Sequence, residues 1–255
     1  MVVYDSLLEA PSNLKESFDW IVAVRRCSGI PILAKALYLV LLRGAANLPD
    51  VKNMKGGNVS NVLSDDADYD DWDFDDGANK IIKGSHLPRR GGLTKPTSWV
   101  DNVMIKLNLM DEKETEVKMN ELYRHLSKAS IRIQLILLNL INDSTYVESY
   151  GRDVTWDNSC AENPWECADI FISLLIPLCD DLNFIQSECN KRSNLDSKLN
   201  GTGQRSVGKM FASVGFNLKD FIPKGTCRDF LKYYEPLKTQ LEFLDGIVCK
   251  YTVET

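Results

Sequence analysis

The chain has 255 residues, of which 44% are hydrophobic and 26% charged, with a net charge of −6 and a pI near 5.1. A chain of this length buries a sizeable core without help from a metal or a disulfide. The acidic balance, with no basic stripe, argues against nucleic-acid binding, and no run of eighteen apolar residues marks a membrane span.

Pro11 and Ser12 open the first predicted helix, over about 13–26, with Ser12 accepting from a first-turn amide. Leu14, Phe18, Ile21 and Val22 recur at steps of three or four and give it one apolar face. Gly29 and Pro31 break it. A second helix runs to about Arg43, where Gly44, Asn47 and Pro49 end it, so residues 1–49 read as a helical hairpin. Its stretch from Ile30 to Leu42, interrupted by Lys35, fits a buried helix.

From 50 to 97 the character changes. Gly56, Gly57, Gly77, Gly84, Gly91 and Gly92 punctuate a segment with little apolar period, which reads as a long, irregular, exposed acidic insertion. Helical periodicity returns over 98–255. Ser98 with Asp101 opens a helix to about Leu109, and Asp111 with Glu114 opens another, expected to be the longest. On it Leu122, Leu126, Ala129, Ile133, Leu137 and Leu140 keep one face apolar.

A core helix follows over about 164–190, striped by Phe171, Leu174, Leu178, Leu182, Ile185 and Cys189, with a kink expected at Pro177. A short helix spans about 206–214. Thr226 with Asp229 opens a further one, and Pro236 is expected to begin a separate last helix, striped by Leu237, Leu241, Leu244, Val248 and Tyr251. No strand alternation and no internal repeat stand out. The expected architecture is an all-α bundle in which 98–255 and the N-terminal hairpin form one globular unit.

The seven cysteines are Cys27, Cys160, Cys167, Cys179, Cys189, Cys227 and Cys249. Cys179 and Cys189 stand about 15 Å apart on one predicted helix and cannot bridge each other. Cys227 and Cys249 fall on two adjacent predicted helices and form a candidate pair, while Cys160 lies in a loop and is freer to find a partner. Reduced structural thiols and one to three disulfides are both open readings.

Motifs for chemistry are weak. Gly203 to Lys209 has the glycine and lysine spacing of a phosphate-binding loop, but Met210 stands where a magnesium-holding Ser or Thr belongs, and no buried strand precedes it. Asp65, Asp66, Asp68, Asp70, Asp71, Asp73, Asp75 and Asp76 crowd one short run. A calcium loop starting at Asp71 would need glycine at Asp76 and glutamate at Ile82. Interleaved with Tyr69, Trp72 and Phe74, the run reads as a solvated loop or an adhesive strip for a basic protein partner. Tyr69, Asp71, Trp72, Asp73 and Phe74 are therefore the candidate contact residues, the aromatics as anchors.

Only His86 and His125 could serve as catalytic bases, and His125 reads as a helix-surface residue. No cysteine context marks a nucleophile, and no metal-ligand spacing is present. The reading is non-enzymatic, with no cofactor. Glycosylation triplets begin at Asn58, Asn142 and Asn200, all in predicted loops. The N-terminus has no basic region followed by an apolar core, so no conventional secretory signal is expected.

Two stretches carry a family likeness. Tyr4, Ser6, Leu7 and Glu9 followed by Pro11-Ser12-Asn13-Leu14-Lys15-Glu16-Ser17-Phe18-Asp19-Trp20-Ile21 is the first. The second is Cys167-Ala168-Asp169-Ile170-Phe171-Ile172-Ser173-Leu174-Leu175 with Pro177-Leu178, Leu182 and Cys189, then Val207, Met210, Phe211, Val214-Gly215-Phe216, Leu218 and Lys224-Gly225-Thr226. Their order resembles the variant erythrocyte surface antigens and related multigene products of Babesia, over roughly a third of the chain. The larger members are longer and commonly carry a C-terminal transmembrane helix, which this sequence lacks. Arg25-Arg26-Cys27-Ser28-Gly29 also replaces the glycine-rich loop expected after the first helix. The resemblance implies an exported parasite protein of the infected red cell, active in antigenic variation and adhesion. Its partner would be a host-cell receptor or a second antigen subunit. The alternative is an intracellular helical scaffold with reduced cysteines.

Overall fold

A computed structural model describes residues 3–46, 112–196, 207–222 and 226–252. Among them the fold is all-α, with seven helices: α1 (Leu14–Arg26), α2 (Ile30–Ala46), α3 (Glu112–Leu140), α4 (Trp156–Ser159), α5 (Pro164–Asp196), α6 (Gly208–Ala212) and α7 (Cys227–Thr252). A 3₁₀ turn covers Leu218–Asp220, and the only extended pairings among these residues are isolated bridges, Tyr4 with Tyr150 and Ile141 with Phe221. The expected insertion over 50–97 and the expected helix over 98–109 lie outside the described residues.

The four long helices α2, α3, α5 and α7 pack on one another, and α1 lies against α3 and α5. Helix α2 is central. Leu33, Ala34, Leu37, Tyr38, Leu39 and Leu41 are buried on more than one side, which is why its sequence is apolar nearly all round rather than striped. Pro31 sits in its first turn, where a missing N–H costs nothing. Gly29 lets the entering chain pass close to the Trp156 ring, which a Cβ would strike.

Two expectations about length are corrected. Helix α5, at 33 residues, outruns α3, at 29. And no separate helix begins at Pro236: α7 runs unbroken from Cys227 through that proline. Losing one backbone bond there costs about 3 kcal/mol. Keeping the helix intact lets Phe230, Tyr234, Leu237, Leu241, Leu244 and Val248 bury as one stripe, each large side chain contributing about 1.5–3 kcal/mol. Burial outweighs the proline. Helix α5 likewise continues through Pro177.

The predicted start of α7 holds. Thr226 Oγ1 accepts from the Asp229 amide at 3.2 Å, and an Asp229 oxygen accepts from the Thr226 amide at 3.0 Å. Helix α4 has the same reciprocal cap from Thr155 and Asn158. Between α6 and α7, Phe211 packs edge-on against Phe216 and Phe230, and Phe216 in turn meets Phe18 of α1.

Candidate functional site

The start of α1 and the connection from α3 to α4 form the most polar part of the interior. Lys15 and Asp19 lie one turn apart on α1, each 4% exposed. The Lys15 ammonium donates to Asp19 Oδ2 at 2.7 Å, to the Val147 carbonyl at 2.9 Å and to Ser149 Oγ at 2.8 Å, using all three protons. It also stands 4.7 Å over the Tyr146 ring. Asp19 further accepts from the Ser149 amide at 2.8 Å and from the Tyr146 hydroxyl. Burial, then the facing Asp19 carboxylate, pushes the Tyr146 phenol far above its ordinary range. Such a lysine is a rivet, not a nucleophile.

The N-terminal segment is fastened across the same region. Tyr4 pairs by backbone with Ser149 and Gly151 and stacks on Tyr150 with ring centroids 4.8 Å apart. Trp20 Nε1 donates to the Leu7 carbonyl at 2.8 Å, and the Tyr150 hydroxyl donates to the Glu9 carbonyl at 2.6 Å. Glu16 Oε2 accepts from the Ser12 amide and hydroxyl and from Tyr4. Burial alone would raise the Glu16 carboxyl, but these hydrogen bonds outweigh it and hold the group below its ordinary value.

The cap differs from expectation. Asn13, not Ser12, accepts from the Glu16 amide, at 3.0 Å, because Ser12 is turned to give its hydroxyl to Glu16. Gly215, at φ +101°, packs against that Asn13 side chain.

The expected contact residues Tyr69, Asp71, Trp72, Asp73 and Phe74 lie outside the described residues, as do His86, Asn58 and Asn200. The pairing of Cys227 with Cys249 is corrected. Both belong to the single helix α7, where twenty-two residues of rise separate them by about 33 Å, far beyond disulfide reach. The bridge that forms joins Cys160, after α4, to Cys167, in the first turns of α5. Cys27 and Cys179 are half-buried thiols. Burial first, then the acidic neighbours Asp245, Asp180 and Glu242, pushes Cys179 up to about 12, which leaves it unreactive near neutral pH.

Residue Asn142 begins a turn in which its Oδ1 accepts from the Ser144 hydroxyl at 2.8 Å. Where a phosphate-binding loop would open a long helix, Gly208 and Lys209 instead begin the five-residue α6. His125 is half-buried and stacks on Phe243 of α7, with ring centroids 3.6 Å apart. Among the described residues no group of three or more His, Cys, Asp or Glu side chains is placed to hold a metal ion. No helix among them is long and apolar enough to cross a membrane.

The Lys15–Asp19 pair was missed in the sequence, although an i, i+4 pair beside an apolar stripe can be found by its spacing. Its burial depends on residues 147–149, more than a hundred positions away. Comparison with family models, with curated proteins and with solved structures finds no match to this chain.

Proposed function

We propose that this chain is a non-enzymatic, exported antigen of the kind implied by its likeness to the variant erythrocyte surface antigens, acting in antigenic variation and in adhesion of infected red cells. The observation that carries the reading is the Cys160–Cys167 disulfide. Disulfides persist in oxidising compartments and are rare in reducing cytosol. The helical body supplies a stable support, and the acidic, aromatic tract with Tyr69, Trp72 and Phe74 supplies the contact surface for a host receptor or a second antigen subunit.

The test is a thiol count on protein taken from infected cells and denatured under alkylating conditions, paired with protease treatment of intact infected erythrocytes. Five free thiols of the seven, together with loss of the chain from the protease-treated cell surface, support export and display. Seven free thiols and full protease protection overturn the reading in favour of an intracellular helical scaffold.

A further inference from the structure

The outer face of α5 carries two exposed large apolar side chains. Ile176 is 55% exposed and Phe184 48% exposed, two turns apart on the same helix. Pro177, Asp180 and Asp181 stand between them, at the three- and four-residue steps that share one face. Beside this strip a groove of about 130 Å³ opens between α5 and the start of α1, lined by Ser12 and Leu14 on one side and by Ser173, Pro177 and Asp181 on the other.

The groove is lined by the hydroxyls of Ser12, Ser17 and Ser173, the Asn13 amide and the Asp181 carboxylate. Pro177 has no N–H to offer the Ser173 carbonyl one turn back. Neither Asp180 nor Asp181 enters an ion pair with any described lysine or arginine. Burial, then the neighbouring Asp180, raises the Asp181 carboxyl above its ordinary value. A cation placed in the groove would relieve both effects. Ile176 and Phe184 place an exposed apolar side chain at either end of this acidic strip.

We propose that this face of α5 is a docking surface for a basic amphipathic helix of a partner protein, with one Lys or Arg side chain entering the groove beside Asp181 and apolar side chains seated on Ile176 and Phe184. Charge complementarity selects this occupant. An acidic partner would meet two unpaired carboxylates, and a purely apolar one would leave them desolvated. The surface lies wholly within the helical body, so it stands whichever compartment the protein occupies.

The probe is an eighteen-residue helical peptide of leucine and lysine, with a leucine and glutamate peptide of the same apolar pattern as its control. Both are titrated by fluorescence anisotropy into the full chain at low and high salt. The lysine peptide should bind in a salt-dependent way and the glutamate peptide should not. Asp181→Asn and Phe184→Ser should each weaken binding about tenfold or more without changing the far-UV circular dichroism. The carboxyl titration of Asp181, followed by NMR, should move to lower pH on binding.

Unchanged affinity in both variants, with the Asp181 titration unmoved, would overturn the proposal and place the peptide elsewhere, the acidic tract 65–76 first. So would a Phe184→Ser variant whose only change is loss of self-association, because the occupant would then be a second copy.

Discussion

The Nζ of Lys15 and the Oδ2 of Asp19 meet at 2.7 Å in a part of the protein that water scarcely reaches, and the same two side chains hold Val147, Ser149 and Tyr146. The pair thus ties helix α1 to a loop distant in sequence. Removing one member strands the other as a buried charge, which typically costs about 3–5 kcal/mol. Lys15→Met should therefore lower the melting temperature by roughly 6–20 °C at this chain length. The double variant Lys15→Met, Asp19→Leu should lose less than the sum of the two singles. Thermal unfolding of the three variants decides it, and strict additivity would show that the two side chains act independently.

The contact between Gly215 and Asn13 makes a second prediction about coupling. Gly215 sits in the left-handed region, and a Cβ there would strike the Asn13 side chain that caps α1. Gly215→Ala should cost about 1–3 kcal/mol from backbone strain, plus the displaced cap. Asn13→Ala should cost about 1 kcal/mol. In the Asn13→Ala background the glycine substitution should be milder, because the closest clash, with the Asn13 amide group, is gone while the contact with its Cβ, at 3.0 Å, stays. Urea titration of the four proteins gives the coupling, and a penalty that is the same in both backgrounds would contradict the contact.

His125 supplies a pH dependence. Its ring is held on Phe243, and burial first, then the adjacent Arg124, lowers its affinity for a proton. Glu121, Lys128 and Gln240 also face it. The folded pKa therefore lies below the unfolded value, near 6.5. Above that value both states are neutral and the group has no effect. As the pH falls below it the unfolded chain takes up the proton first, and stability drops until the folded pKa is passed. His125→Phe keeps the stacking and removes the proton site. Its stability should decline less than that of the parent between pH 7.5 and pH 5, measured by urea denaturation; parallel declines would refute the assignment.

The Cys160–Cys167 bridge closes a short loop of seven-residue separation. Loop entropy gives such a link about 2–3 kcal/mol. The double variant Cys160→Ser, Cys167→Ser should show this loss without reductant. The parent protein should show a similar loss only once reductant is added. Equal stability of parent and variant without reductant would mean that the bridge does not form.

Much of the fold was legible because apolar spacing is local. The stripes of α5 and, as far as Val248, of α7 and the apolar run of α2 could be read directly and are buried as the spacing implies. On α3 Leu122, Leu126, Ala129, Ile133 and Leu140 are buried, but Leu137 is half-buried while Leu135 and Ile136 lie in the core. Pro236 misled for a physical reason: a rule about one lost hydrogen bond was applied without the burial on either side of it. That error created the Cys227–Cys249 pairing, which needed two helices where one exists. The Asn13 cap was displaced by one residue because the hydroxyl of Ser12 is claimed by Glu16, a competition that adjacent sequence positions do not reveal. The candidate contact residues of the acidic tract rest on composition alone, since they lie outside the described residues.

The polar rivet in α1 has a practical bearing on immunology. The segment 11–21 faces mainly inward, with Leu14, Lys15, Ser17, Phe18, Asp19, Trp20 and Ile21 all buried. Sera raised against a synthetic peptide of this segment should stain denatured protein on a blot and ignore the native molecule. Antibodies trained on this stretch would recognise a surface that the folded chain does not present.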